Sequence, residues 1–348
     1  MVQIGEKDQG CKMINGVELQ YPQANQSVIQ KAKYESKKFE VELRINKNFI
    51  VAVSGGPDSL ALSFLSKIYS IKKSLEVKYF IVDHGLRKNS TSEAKNVKKK
   101  LKNFSIKLNI LTWIGFKPNK NIQSIAREKR YELICDRAKK YRIENILVGH
   151  HLDDLFENFF IRILRGSGLQ GLISLDRETQ KNNINLIRPL INIDKDDLVY
   201  ISNHVFGSYV QDPSNQDDKF KRVKVRNLLK ELSLEGLDRN KFFLTIKNLK
   251  FANESIKFYT KKNIEENVTL LQKKQKAVLK ENFFSQSEEV IFRSFGEVIK
   301  IIGKKYYTVR GKKIDKIINL LESKSSFKVT LGGCLIKKIN GTIILSKE

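Results

Sequence analysis

The chain alternates short apolar runs with longer stretches in which apolar residues recur every three or four positions. Phe49 to Val53 reads as a buried strand, and Leu60, Leu62, Phe64, Leu65 and Ile68 after it fit one face of a helix. The alternation then repeats. Val77–Val82 predicts a strand, Ser90 and Glu93 form a capping-box signature for a helix to about Asn103, and Ile106–Trp113 predicts a third strand. Asn121–Tyr141 predicts a helix, Asn145–Gly149 a fourth strand, and a further helix runs through Glu157, Asn158 and Phe159 to Leu164. Strands alternating with helices imply βαβ units and a parallel sheet.

Outside this region the texture differs. Residues 1–28 are polar and aperiodic and predict a disordered or extended arm. Residues 29–46 predict a helix with Ile29, Phe39, Val41 and Leu43 partly buried. An amphipathic helix is expected from about Asp194 to Val205, then the acidic, turn-rich segment Gln211–Asp218, then Lys219–Lys230, where six of twelve residues are basic and none acidic. Residues 235 to about 283 predict one or two long lysine-rich helices. From about Glu288 the pattern is a small α+β unit: a helix over Val290–Ile302, Tyr306–Val309, a helix over Lys312–Leu321, then Phe327–Leu331 and Cys334–Leu345, with Asn340-Gly341 as a hairpin turn signal. The expected domains are therefore the arm (1–28), an α/β nucleotide-binding domain (29–230), a helical domain (231–284) and a small α+β domain (285–348), the last a candidate for docking RNA.

Composition adds a partner. A net charge of +27 suits a polyanion, nucleic acid first. Lysine outnumbers arginine by 50 to 15, a bias that an A+T-rich genome also produces, so the clustering of charge carries more than its total. Arg222 and Arg226 stand four apart on one side of the basic segment, where a phosphate backbone would relieve their mutual repulsion; a solvated helix face is the alternative. Three separated cysteines without a CxxC, no signal-like apolar segment in Met1–Gln30 and no apolar run of transmembrane length point to the cytoplasm.

The chemistry concentrates where predicted strands end. Ser54-Gly55-Gly56-Pro57-Asp58-Ser59 joins the first strand to a helix. Two glycines let the backbone approach an anion, and a helix N-terminus offers unpaired N–H groups. Ser54 and Ser59 add hydroxyl donors, and Asp58 makes sense beside phosphates if Mg²⁺ lies between them. A plain strand-to-helix turn with Asp58 or Ser59 as the cap is the rival reading. No Gly-Lys-Ser/Thr follows, so this is not a Walker loop. Asp83 and His84 end the second strand, and His150, His151, Asp153 and Asp154 end the fourth, so these groups would line one sheet edge. A histidine zinc site lacks a His-Glu-x-x-His spacing or a third ligand. Gly166–Gly171 matches G-x-G-x-x-G but follows a helix, so it reads as a loop carrying Arg165.

The hexapeptide resembles the pyrophosphate loop of the PP-loop ATP pyrophosphatases, whose members adenylate a substrate and release pyrophosphate. Further stretches sharpen the resemblance to the tRNA(Ile)-lysidine synthases among them: Val82–Arg87, Ala126–Tyr131, Gly149–Asp154 with Glu157 and Asn158, Arg165–Gly168, Arg188–Leu190 and Asp212…Asn215…Arg222…Arg226. The resemblance spans about residues 48–230, with the tail after 290 similar to some bacterial members. It implies a PP-loop domain of adenine nucleotide alpha hydrolase type, ATP and Mg²⁺ as cofactors, and an isoleucine tRNA with a CAU anticodon and free L-lysine as partners, with a homodimer left open. It implies a ligase in which ATP adenylates C2–O of the wobble cytidine and the lysine amine displaces AMP. By the same resemblance Ser54, Gly55, Gly56, Pro57, Asp58, Ser59 and His84 bind ATP, and Asp58 and Asp154 hold the metal. Asp58, Asp153, Asp154, His150 and Arg127 form the catalytic set, with the base among Asp153, Asp154 and His150. Arg130, Arg165, Arg222 and Arg226 meet tRNA. A thiolase or amide ligase of the same superfamily predicts a sulfur relay or an ammonia source, and a non-catalytic RNA-binding protein predicts a damaged loop; the loop is intact.

Overall fold

The computed structural model describes residues 11–14, 17–20, 26–210 and 221–348, except 88, 116, 118–121, 182, 272, 274, 305–308, 324–325 and 340–341. It comprises two units, Met1–Gly236 and Leu237–Glu348.

The first unit opens with a hairpin, β1 (Cys11–Ile14) and β2 (Val17–Gln20), where a loose arm is expected from the sequence. Then follow α1 (Gln26–Leu43), β3 (Phe49–Val53), α2 (Pro57–Lys73), β4 (Val77–Asp83), α3 (Ser90–Lys102), β5 (Leu108–Thr112), α4 (Ile122–Lys140) and β6 (Asn145–Leu147). The unit continues with α5 (Leu152–Ile163), a single turn α6 (Leu169–Leu172), β7 (Glu178–Lys181), β8 (Ile184–Ile187), α7 (Lys195–Phe206) and α8 (Lys221–Leu234).

The six strands from β3 to β8 form one sheet in the order β5-β4-β3-β6-β8-β7, parallel except for β7, which pairs antiparallel with β8 at the edge. β3 is central, as its unbroken apolar sequence requires, because both faces are covered. Phe49, Val51 and Val53 pack with α1, α2 and α7, whereas Ile50 packs on the opposite side with Ile134 and Ala138 of α4. In α1, Phe39 and Leu43 are buried as expected, but Val41 is 57% exposed, because its place on the helix turns it from the sheet. The Ser90–Glu93 capping box does not form. Asn89 is the N-cap, without a side-chain bond, and Glu93 instead pairs with Arg87 at 3.2 Å.

The strand order places the site. From β3 the chain builds outward to β4 and β5, then crosses to β6 on the other side of β3. Ligands of open α/β sheets bind at such a reversal, outside the carboxyl ends of the two strands. Here those ends carry Ser54–Ser59 and Gly149–Asp154.

The second unit holds α9 (Arg239–Asn267), β9 (Val268–Leu271), β10 (Lys276–Leu279), a 3-10 turn at Glu281–Phe284, α10 (Glu288–Ile302), α11 (Gly311–Ser323), β11 (Phe327–Leu331), β12 (Cys334–Ile339) and β13 (Thr342–Lys347). Its antiparallel sheet has the order β11-β12-β13-β10-β9. β9 and β10 thus pair antiparallel within this sheet, where the sequence suggests helix; pairing of β10 with β13 outweighs the helix propensity of the surrounding lysines and glutamines. A helical domain ending near 284 is accordingly not a separate body: α9 belongs with the sheet, in a unit that begins at Leu237. Asn340 and Gly341 lie outside the described residues, while Ile339 pairs with Thr342 on either side of them.

Candidate active site

The loop between β3 and α2 is held by its own serine. Ser59 is buried, and its Oγ accepts from the amides of Ser54 (3.1 Å) and Gly55 (3.0 Å) while donating to the carbonyl of Gly56 (3.0 Å). The hydroxyl expected to reach a phosphate is therefore committed to shaping the loop. Gly55 has φ +87°, and a Cβ there would lie 2.9 Å from Cγ2 of Val97, so both conformation and space demand glycine. Its carbonyl accepts from the amide of Val210 at 3.0 Å, which ties the loop to the chain leaving α7. Gly56 is the N-cap of α2 and Pro57 its first residue, a position where proline costs no hydrogen bond. The helix N-terminus therefore opens at this loop, with its dipole favouring an anion.

Asp58 stands in that first turn, against the expectation for a bare phosphate site. Its Oδ1 is buried without a hydrogen-bond partner, and burial pushes its carboxyl above the ordinary range. Its Oδ2 lies 3.7 Å from Nε2 of His151, and Oδ2 of Asp154 lies 3.5 Å from the same nitrogen. One imidazole thus stands between two carboxylates drawn from opposite sides of the switch point. Burial opposes ionisation of Asp154, but His151, His150 and the His151 amide keep its carboxyl below the ordinary value. The placement is set by a capping box at the start of α5: Nδ1 of His151 accepts from the Asp153 amide (3.3 Å), and Oδ2 of Asp154 accepts from the His151 amide (3.1 Å). Asp153 enters through its backbone in that cap.

Two further histidines flank the loop, one after each neighbouring strand. His150 follows β6; its Nε2 lies 3.1 Å from Nη2 of Arg127, which also donates to Tyr131 Oη at 3.1 Å, and its Nδ1 is buried without a partner. Burial, with the nearby Arg127, Arg188 and Arg222, drives its pKa down to about 3. His84 follows β4, accepts from Nε of Arg130 at 3.4 Å, and meets the indole of Trp113 edge-on at 6.0 Å. Its Nδ1 is likewise buried and unpartnered, and burial with Arg130 and Lys117 lowers its pKa to about 4. Asp83 is used structurally: it accepts from the Gly85 amide (3.0 Å) and from Thr91 Oγ1 (2.6 Å), shaping the turn that presents His84.

The rim is basic. Arg226 of α8 donates from Nε and Nη2 to the two carboxylate oxygens of Glu157, which is 3% exposed. Arg222, one turn earlier, is exposed, and its charge bears on Asp154, Glu157 and His150. Lys195 bears on Asp58. Arg188 is buried and donates through Nη1 to the Asp176 carbonyl and Thr179 Oγ1. Among the described residues no three His, Cys, Asp or Glu side chains group as a metal site by themselves.

Comparison with known proteins agrees with this geometry. Residues 26–232 match the model of the PP-loop domain. The chain is 31% identical over 306 residues to a tRNA(Ile)-lysidine synthase of Wolbachia sp. subsp. Brugia malayi, covering 87% of this chain and 71% of that one. It is 32% identical over 311 residues to a tRNA(Ile)-lysidine synthase of Orientia tsutsugamushi, covering 87% and 70%. The chain belongs to the tRNA(Ile)-lysidine synthase family. Among solved structures, a U34-tRNA thiolase from Methanococcus maripaludis aligns with a TM-score of 0.56 at 16% identity, over 64% of this chain and 79% of that one, a likeness of fold.

Within this tRNA(Ile)-lysidine synthase family member, the structure gathers Ser54–Ser59, His84, Arg127, Arg130, His150, Asp154, Arg222 and Arg226 around one sheet edge. Arg226, expected to face tRNA, is paired inward with Glu157. Arg165 lies in the exposed turn after α5. Asp212 and Asn215 lie outside the described residues. Lys195 escapes a motif-level reading, and His151, placed at this edge by the sequence, acts there as the cap between the carboxylates. An Asp three residues after an N-cap is the signal for that capping role.

Proposed function

We propose that this member of the family forms lysidine: ATP adenylates C2–O of the wobble cytidine of an isoleucine tRNA with a CAU anticodon, and free L-lysine displaces AMP. The observation that carries the reading is the pairing of an anion-binding helix start with two carboxylates, Asp58 and Asp154, across one switch point. In the first step the cytidine oxygen bonds to the α-phosphorus and pyrophosphate leaves. In the second the lysine amine bonds to C2, the C2–O bond breaks, AMP departs with its electron pair, and the amine gives up a proton.

The residues present suit this. The loop and the start of α2 hold the phosphates, and orientation with charge neutralisation supplies much of the rate. Mg²⁺ fits here: Asp58 has a buried oxygen with no partner, and this ion takes one or two carboxylates and fills its remaining positions from phosphates and water. Asp58 and Asp154 would hold it, and its chemistry would be neutralisation of phosphate charge. Arg127, Arg130 and Arg222 bring positive charge to the side where nucleotides enter, and Arg165 and Arg222 are exposed to a tRNA backbone. The small second unit is a candidate for docking the rest of the tRNA, and the setting is cytoplasmic.

The test is nucleoside mass analysis after incubation with CAU-anticodon isoleucine tRNA, ATP, Mg²⁺ and isotopically labelled lysine. Labelled lysidine formed only with ATP is the expected result. AMP release with unmodified cytidine would move the search to another nucleophile, and neither product would favour a binding protein.

A further inference from the structure

The hydrogen-bond pattern fixes which nitrogen of each active-site histidine carries its hydrogen. A guanidinium can only donate. Arg127 Nη2 faces Nε2 of His150 at 3.1 Å, so that nitrogen accepts and the hydrogen sits on Nδ1. Arg130 Nε does the same to Nε2 of His84 at 3.4 Å. The adjacent His151 is the reverse: its Nδ1 accepts from the Asp153 amide, so its hydrogen is on Nε2, toward Asp58 and Asp154.

Two N–H groups are then left over. Nδ1 of His84 and Nδ1 of His150 are both buried and neither has a partner. A buried donor left unsatisfied is costly, so its persistence needs a reason. These two occupy equivalent positions, one after β4 and one after β6, on the two strands that flank β3 and its loop. The lone pair with which each ring would take a proton, on Nε2, already accepts from an arginine. Burial further disfavours the charged ring, helped at His84 by Arg130 and Lys117 against Asp83, and at His150 by Arg127, Arg188 and Arg222 against Asp154.

We propose that His84 and His150 are arginine-locked hydrogen-bond donors that present Nδ1–H to acceptor atoms of the bound nucleotides, and that neither accepts a proton during the reaction. The inference rests on the function proposed above and narrows it: of the base candidates named from sequence, His150 is removed and the carboxylates remain. The acceptor belongs either to ATP or to the cytidine of the tRNA.

The experiment is long-range ¹H–¹⁵N correlation of the imidazoles in the full-length, uniformly labelled protein at neutral pH, each histidine assigned by single substitution. His84 and His150 are expected to carry hydrogen on Nδ1 and His151 on Nε2, an internal contrast between neighbours. An imidazolium or an Nε2–H form at His150 overturns the proposal. A non-hydrolysable ATP analogue with Mg²⁺, and separately the unmodified tRNA, are then added, with binding followed by calorimetry. A shift of the Nδ1–H signals with the analogue assigns the acceptor to ATP, and a shift with tRNA assigns it to the cytidine. Binding without any shift sinks the donor role alone, whereas shifts without lysidine formation sink the proposed reaction alone. In turnover, His150→Asn, whose amide nitrogen falls near the Nδ1 position, should exceed His150→Gln, whose amide falls near Nε2, by at least about tenfold. A general base would lose about 10²–10⁴ in both variants, so equal losses count against the proposal.

Discussion

Arg226 grips both carboxylate oxygens of Glu157, a side chain that is almost wholly buried on the inner face of α5. Burial raises the Glu157 carboxyl above its ordinary range despite the arginine, so the ion pair offsets a desolvation cost rather than adding a surplus. Breaking such a pair from one side is far costlier than replacing both partners. Arg226→Ala should lower stability by about 3 kcal/mol, and Glu157→Gln combined with Arg226→Gln by much less. Denaturant unfolding of the two variants checks this; equal losses in the single and double variants would show the pair to be incidental.

Gly55 and Gly168 belong to two glycine-rich stretches that look alike in sequence, and they should respond differently to alanine. Gly55 has a positive φ and Val97 within reach of any Cβ, whereas nothing lies within 4 Å of a Cβ at Gly168. Gly55→Ala should cost about 1–3 kcal/mol and weaken binding of an ATP analogue, as expected for a side chain forced into a left-handed conformation. Gly168→Ala should leave both unchanged, since surface changes usually fall within about 0.5 kcal/mol. Melting and calorimetry on the pair decide.

Asp58 should trade stability for activity. Its folded pKa is raised by burial, so the native state holds a proton that the unfolded chain has already lost between the ordinary 3.8 and the raised value. Its contribution therefore favours folding less as pH rises through that raised pKa. Asp58→Asn is expected to be as stable as the parent at pH 7 or more so, while lysidine formation falls by at least about a hundredfold through lost electrostatic stabilisation. A clear drop in melting temperature at pH 7, or retention of activity, contradicts this.

The two arginine-locked histidines act in the opposite sense. Their folded pKa values, about 4 for His84 and about 3 for His150, lie below the ordinary 6.5. The unfolded chain takes up protons that the native state refuses, so their stabilising contribution is full above about pH 6.5 and is lost as pH falls toward 4. A melting series from pH 7.5 to 4.5 should show a decline that flattens in His84→Gln. An identical slope in that variant would mean that His84 is already charged in the fold.

The parts of the molecule legible from sequence were those with redundant signals. The strands β3, β4, β5 and β6 announce themselves as apolar runs closed by polar groups, and the glycine loop lies between the first of them and a strongly periodic helix. What escaped reading depends on contacts distant in the chain. β7, Glu-Thr-Gln-Lys, is a polar edge strand defined only by its neighbour β8, and residues 268–279 look helical until β13 is present to pair with them. At the site, residue types were informative but their employment was not. Ser59 serves the loop, Asp83 serves a turn, and Arg226 serves Glu157, because each found a partner that a linear motif does not display.

The crossing of the chain from one side of β3 to the other has a consequence for biosynthesis. Nothing in the first half of the first unit completes the site: the loop exists once β3 and α2 are made, but its carboxylate partner arrives with α5, its tether with Val210, and its basic rim with α8. Contacts so far apart in sequence close slowly, since a long loop must be ordered before they form. A nascent chain emerging from the ribosome is therefore expected to carry a sheet before it carries a complete site, with nucleotide binding following late. An analogue of ATP that stabilises ribosome-released chains ending after Leu234, but not chains ending before Lys195, would time that event.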